Sequence, residues 1–111
     1  MTIKCSSLAM SPVHLKKVKA ILSGEVPGCG VLLYGPRAAG TAKPKAYLDL
    51  AIMSEKPLGR EKMEKLGAAF AGAGLPFPVA LVDWADTGSS FRKEIRRTAI
   101  QLEPCGGGKT R

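Results

Sequence analysis

The chain has 111 residues, 45% of them hydrophobic and 23% charged, with 17 Lys and Arg against nine Asp and Glu for a formal net charge of +8. That is the size and balance of one globular domain with a modest core, and no apolar run approaches the roughly 18 residues of a membrane span. The N-terminus MTIKCSSLAM has no signal-peptide hydrophobic stretch, so a cytoplasmic protein with no membrane association is expected.

In chain order, SPVHLKKVKAILSGEVPG (11–28) predicts a helix. Ser11 is placed to cap it, Pro12 suits its first position, and Leu15, Val18, Ile21 and Leu22 fall on one face. GVLLYG (30–35), an apolar run between glycines, predicts a buried strand. PRAAG (36–40) is a turn that can become helical. YLDLAIM (47–53) predicts a second strand, with Tyr47, Asp49 and Ala51 on one side and Leu48, Leu50 and Ile52 on the other. A helix follows from about Gly59 to Ala73, with Met63, Leu66 and Phe70 as its apolar stripe. PVALVDW (78–84) predicts a third strand, and DTGSSFRKEIRRTAIQLE (86–103) a last helix beginning near Ser89. Phe91 and Ile95 share one of its faces; Arg92, Lys93, Arg96 and Arg97 read as an exposed face that a partner could use. Trp84 and Phe91 are expected to fill core rather than stack on a base. This order gives an α/β (α+β) class with a small sheet, one domain over 1–103, and a disordered tail over 104–111.

The chemistry-bearing residues are sparse. Three cysteines at wide spacing (Cys5, Cys29, Cys105) and a lone His14 argue against a zinc site, a disulfide framework, or Cys–His or Ser–His–Asp catalysis. PCGGGKT lacks the first glycine of a phosphate-binding P-loop, since Glu103 stands there. Charge is uneven: Met1 to Leu48 holds seven bases and one acid, and the remainder ten bases and eight acids. The excess surrounds the glycine-rich loop, where an anion would be drawn or where it simply forms a solvated face. In that loop Gly35 lets backbone approach a phosphate, a helical turn offers N–H donors, and Arg37 offers charge. Alternatively Arg37 pairs with Asp49, which is the expected arrangement.

Two longer stretches carry a family resemblance. GPRAAGTAKPKAYLDLAI (35–52) resembles the GSRARGTARPxSDIDLAI-like segment of the minimal nucleotidyltransferases, small members of the DNA polymerase beta-like superfamily. LPFPVALVDWADTGSSFRKEI (75–95) resembles their later PxxVDLVDWA…FR segment. The likeness spans roughly residues 12–103 and implies the nucleotidyltransferase fold, a small mixed β-sheet flanked by helices, with divalent magnesium and ATP as the family's cofactor and ligand, and a protein partner of the HEPN type held as a toxin by an antitoxin. In the family's chemistry two metal ions clamp the attacking and leaving oxygens, held by carboxylates on neighbouring strands.

Matched position by position, Gly35, Arg37, Ala38, Gly40, Thr41, Lys43 and Pro44 follow the family, and Ala39 replaces a basic residue. Pro36 stands where the family has a phosphate-contacting serine, removing both a hydroxyl and an N–H. Tyr47 occupies the first aspartate position, Asp49 keeps the second, and Ala80 replaces the third. Asp83 is acidic, but alternation puts it on the opposite face from Ala80. The resemblance therefore implies a nucleotide-binding loop at Gly35, Pro36 and Arg37, and Asp49 as the one catalytic and metal ligand. Asp49 is either a surviving metal ligand, with magnesium held weakly or not at all, or a carboxylate bonded to loop amides. The expected function is a catalytically impaired, antitoxin-like subunit acting by contact. The alternatives are an active metal-dependent transferase moving AMP from ATP to a protein or small acceptor, or a basic nucleic-acid module, which the scarcity of aromatic residues disfavours.

Overall fold

The computed structural model describes residues 11–40, 46–54 and 56–103. The expectations placed on Thr41, Lys43, Pro44, Cys5, Cys105 and the 104–111 tail fall outside them.

The first helix, α1, runs Pro12–Glu25. The Ser11 hydroxyl accepts from the His14 N–H at 3.2 Å, satisfying a donor that the first turn leaves open, and Pro12 needs no such partner. Strand β1 is Gly30–Tyr34, the short helix α2 Pro36–Ala39, and β2 Leu48–Met53; α3 (Arg60–Ala71) and β3 (Val79–Asp83) follow. A 3-10 turn, Trp84–Asp86, leads to α4 (Ser89–Thr98) and to a final strand, β4 (Ile100–Glu103).

The four strands lie in the order β3-β2-β1-β4. β1 is antiparallel to both β2 and β4, whereas β2 and β3 are parallel, with α3 making the crossover between them. The sheet is thus mixed, as expected from the sequence.

Alternation along β2 divides the interior into two cores. Leu48, Leu50 and Ile52 join Val31, Leu33 and the stripes of α1 (Leu15, Val18, Leu22) and α3 (Leu66, Phe70) on one side. Each such fully buried aliphatic side chain stabilises the fold by about 1.5–3 kcal/mol relative to exposure. Two lysines fasten the helices on this side: Lys62 Nζ donates to the Glu25 carbonyl at 2.9 Å, at the negative end of α1, and Lys17 Nζ to the Ala73 carbonyl at 3.3 Å. On the other side Ala51, Trp84 and Ile95 form a smaller core under α4.

Two expectations are corrected. The last helix stops at Thr98, and IQLE is a strand held by β1, with Leu32 opposite Gln101 and Leu33 opposite Ile100. Phe91 does not share the burial of Ile95: it is 44% exposed, its ring edge-on to Tyr34 at 6.0 Å, while Trp84 is core as expected. Among the described residues no helix is long and apolar enough to cross a membrane.

Candidate functional site

The candidate residues gather where β1 leaves the sheet and β2 enters it. The β1–β2 register sets Tyr34 beside Asp49, and the parallel β2–β3 register sets Ala80 on Asp49's other flank. Residues paired across a ladder point to the same face, so Tyr34, Asp49 and Ala80 line the α4 side of the sheet. Tyr47, two residues before Asp49, points the same way by alternation and is 58% exposed. Three neighbouring positions that could each present a carboxylate to one metal cluster therefore present a phenol, a carboxylate and a methyl group. Among the described residues no three His, Cys, Asp or Glu side chains converge in a way that would hold a metal ion. A two-metal centre does not fit this residue set, because neither tyrosine nor alanine supplies an anionic oxygen ligand at neutral pH.

Gly35 has φ 79° and ψ −160°, a conformation that essentially only glycine adopts. Its backbone also lies directly against the carboxylate: a Cβ at this position would stand 2.5 Å from Asp49 Oδ2. The Asp49 carboxylate accepts no hydrogen bond from the described residues. The alternative in which loop amides bond to it is therefore not what these residues form.

The loop's own donors are directed elsewhere. The Gly35 N–H donates to Thr98 Oγ1 at 2.9 Å, tying the loop to the end of α4. Pro36 has no N–H. The N–H groups of Ala38 and Ala39 both donate to the Gly35 carbonyl, at 3.1 and 3.0 Å, and that of Gly40 to the Pro36 carbonyl. These are ordinary bonds of a tight helical turn, but they leave few amides aimed at an incoming phosphate.

Arg37 was expected to pair with Asp49, and it does not. It is 2% exposed; its Nε and Nη2 donate to the Ala46 carbonyl at 3.2 and 3.0 Å, and its guanidinium lies 4.2 Å from the centre of the Phe77 ring. Phe77 belongs to the core on the α1–α3 side, so Arg37 and Asp49 serve opposite faces of the sheet. The ion pairs among the described residues, Arg60–Glu64 and Arg97–Glu94, are on the surface. Asp83 is likewise structural. Its Oδ2 accepts from the Leu58 N–H at 2.7 Å, fixing the approach to α3, while its register partner is Ile52 and not Asp49.

Burial pushes the Asp49 carboxyl above its ordinary value of 3.8. Burial also raises the Tyr34 phenol, and the negative charge of Asp49 raises it further. An acid whose folded pKa is raised binds its proton more tightly in the native state. Its favourable contribution is complete below the unfolded value and is lost as pH rises through the folded one. Ionised Asp49 thus opposes folding at neutral pH. Asp49→Asn is expected to be more stable than the unmodified chain at pH 7 in urea titrations. That advantage should vanish near about pH 3, where both states carry a protonated Asp49.

Sequence reasoning missed Thr98, which reaches Gly35 only because β4 folds back beside β1. It also missed Tyr34, whose place beside Asp49 follows from strand register alone.

No protein-family model matches the chain. It is 39% identical over 98 residues to a Haemophilus influenzae protein described as a probable protein adenylyltransferase MntA, a match covering 88% of this chain and 86% of the relative. Among solved structures, the fold superposes with TM-score 0.70 on a chain of a toxin–antitoxin complex with AMP-PNP, at 22% identity over 79% of this chain and 71% of that one. It matches with TM-score 0.65 a chain of the tri-AMPylated Shewanella oneidensis HEPN toxin in complex with its MNT antitoxin (20% identity; 81% and 69% covered). A chain described as a candidate minimal nucleotidyltransferase gives TM-score 0.60 at 25% identity, with 79% and 88% covered. The first two of these structural matches speak to the fold alone.

Proposed function

Because this chain belongs to the MntA family of minimal nucleotidyltransferases, we propose that it serves as the antitoxin-like subunit of a two-protein unit, holding a HEPN-type partner by contact and no longer transferring nucleotide. The observation that carries this reading is the β2–β3 register. Ala80 lies directly beside Asp49, and Tyr47 precedes Asp49 on the same face, so one carboxylate stands where two-metal chemistry relies on a cluster. Two further features support it. The N–H groups of Gly35, Ala38, Ala39 and Gly40 are bonded within the fold, and Arg37 is buried on the opposite face of the sheet. The names of the solved relatives supply the partner class: an MNT antitoxin bound to a HEPN toxin.

The test is transfer of labelled AMP from ATP, with magnesium or manganese, to a purified HEPN-type protein from the same genome. The unmodified chain is expected to form a complex with that protein and leave it unlabelled, while a Pro36→Ser/Tyr47→Asp/Ala80→Asp variant labels it. Labelling by the unmodified chain that disappears in Asp49→Ala would overturn the reading in favour of an active transferase with a reduced metal site.

A further inference from the structure

α4 presents a charge arrangement that the fold itself does not neutralise. Over Ser89–Thr98 it carries Arg92, Lys93, Arg96 and Arg97 against Glu94 alone, and Glu94 is engaged by Arg97 at 3.1 Å. Arg92 donates through Nε and Nη2 to the Trp84 carbonyl, at 3.2 and 2.7 Å, and lies 4.8 Å from the centre of the Trp84 ring. Arg96, one turn later, lies 4.9 Å from the same ring. One buried indole therefore orients two guanidinium groups side by side, and among the described residues no carboxylate pairs with either. Cation–π contact with Trp84 orients these groups but does not cancel their charge. Two like charges held close on one helix are unfavourable for the isolated chain, and become favourable when an anionic surface meets them.

Phe91, 44% exposed and edge-on to Tyr34, stands on the other side of the helix, about 140° around from Arg96 and about 160° from Lys93. The basic arc of Arg92, Lys93 and Arg96 is rich in arginine, a residue type enriched in protein–protein interfaces. A nucleic acid would be better served by several stacking aromatics and no acid on the helix, and α4 offers Phe91 and Glu94.

We infer that the basic arc of α4 formed by Arg92, Lys93 and Arg96 is the docking surface for an acidic patch of the protein partner. This rests on the partner-holding reading above. It adds which surface does the holding and what chemistry the partner must present.

The experiment is calorimetric titration of the chain with a purified HEPN-type protein from the same genome. Lys93→Glu/Arg96→Glu is expected to weaken binding by about 10- to 100-fold. A charge-matched control on the opposite face, Lys16→Glu/Lys65→Glu, should bind as the unmodified chain does, which separates a local surface from bulk charge. All of these positions are exposed, so each variant should fold, and melting curves separate any stability lost with the Arg96–Trp84 contact from an effect on binding. Equal binding by Lys93→Glu/Arg96→Glu overturns the assignment and leaves the partner-holding reading standing. Equal weakening by the opposite-face control also overturns it. Absence of binding by the unmodified chain overturns both. A labelled 20-mer RNA or DNA duplex that binds the unmodified chain more tightly than the HEPN-type protein, and is released by the same variant, overturns it in favour of a nucleic acid.

Discussion

Gly35→Ala is expected to destabilise the protein by about 2–5 kcal/mol, a large share of the 5–15 kcal/mol that typically holds a small domain folded. Two independent effects add. The backbone at φ 79° and ψ −160° lies where an L side chain is strained. The new methyl would also stand 2.5 Å from Asp49 Oδ2, closer than real Cβ atoms approach. The two can be separated. Asp49→Ala removes the carboxylate but keeps its Cβ, which at 3.6 Å makes only ordinary contact with the added methyl. A double-mutant cycle of Gly35→Ala with Asp49→Ala, followed by urea denaturation, should therefore show a coupling of about 1–3 kcal/mol, with the backbone strain remaining. Simple additivity would mean that the carboxylate moves aside freely, and that the close packing of loop on Asp49 does not constrain the site.

That contact illustrates what the sequence made legible and what it withheld. Period-two alternation in YLDLAIM correctly separated Leu48, Leu50 and Ile52 from Asp49 and Ala51. Ser11 and Pro12 marked the start of α1, and GPRAAGTAKPKAYLDLAI carried a family resemblance that the Haemophilus relative bears out. These signals are local, and local signals survive in a single sequence. β4 was not legible because RRTAIQLE continues a helical composition. Its strand state comes from pairing with β1 some seventy residues earlier, and from burying Leu102. The Arg37–Asp49 pair failed for a related reason. Twelve residues of chain separate them, but the face over which α2 lies is set by tertiary packing. Arg37 follows Phe77 to the α1–α3 side. Phe91 and Ile95, four residues apart, read as one stripe, yet only Ile95 reaches the core, since Tyr34 and Trp84 occupy the space beneath α4.

Placing carboxylates at positions 47 and 80 should turn the chain into a metal-binding protein, independently of any transfer reaction. Neighbouring parallel strands lie about 4.8 Å apart, and alternate residues on a strand about 7 Å, so aspartates at 47 and 80 would flank Asp49 within reach of shared ions. Tyr47 is exposed and Ala80 only partly buried, so the new charges would remain accessible to water and to ions. Without metal, Tyr47→Asp/Ala80→Asp is expected to melt below the unmodified chain, because three carboxylates then repel one another beside an Asp49 already disfavoured as an anion. Manganese should reverse the order. At a concentration about 100 times the dissociation constant, binding adds about 2.7 kcal/mol, which for a domain of this size is roughly 10 °C or more in melting temperature. The unmodified chain should show no such gain. Adding Pro36→Ser then tests the loop separately: metal affinity depends on the carboxylates, whereas triphosphate binding also needs the donors that proline removes. If the double variant folds and manganese leaves its melting temperature unchanged, the side chains at 47 and 80 do not decide whether this face binds metal. If it binds manganese and the triple variant still fails to bind ATP, the block lies in the loop, where Thr98 holds the Gly35 N–H and the turn's remaining amides close on Gly35 and Pro36.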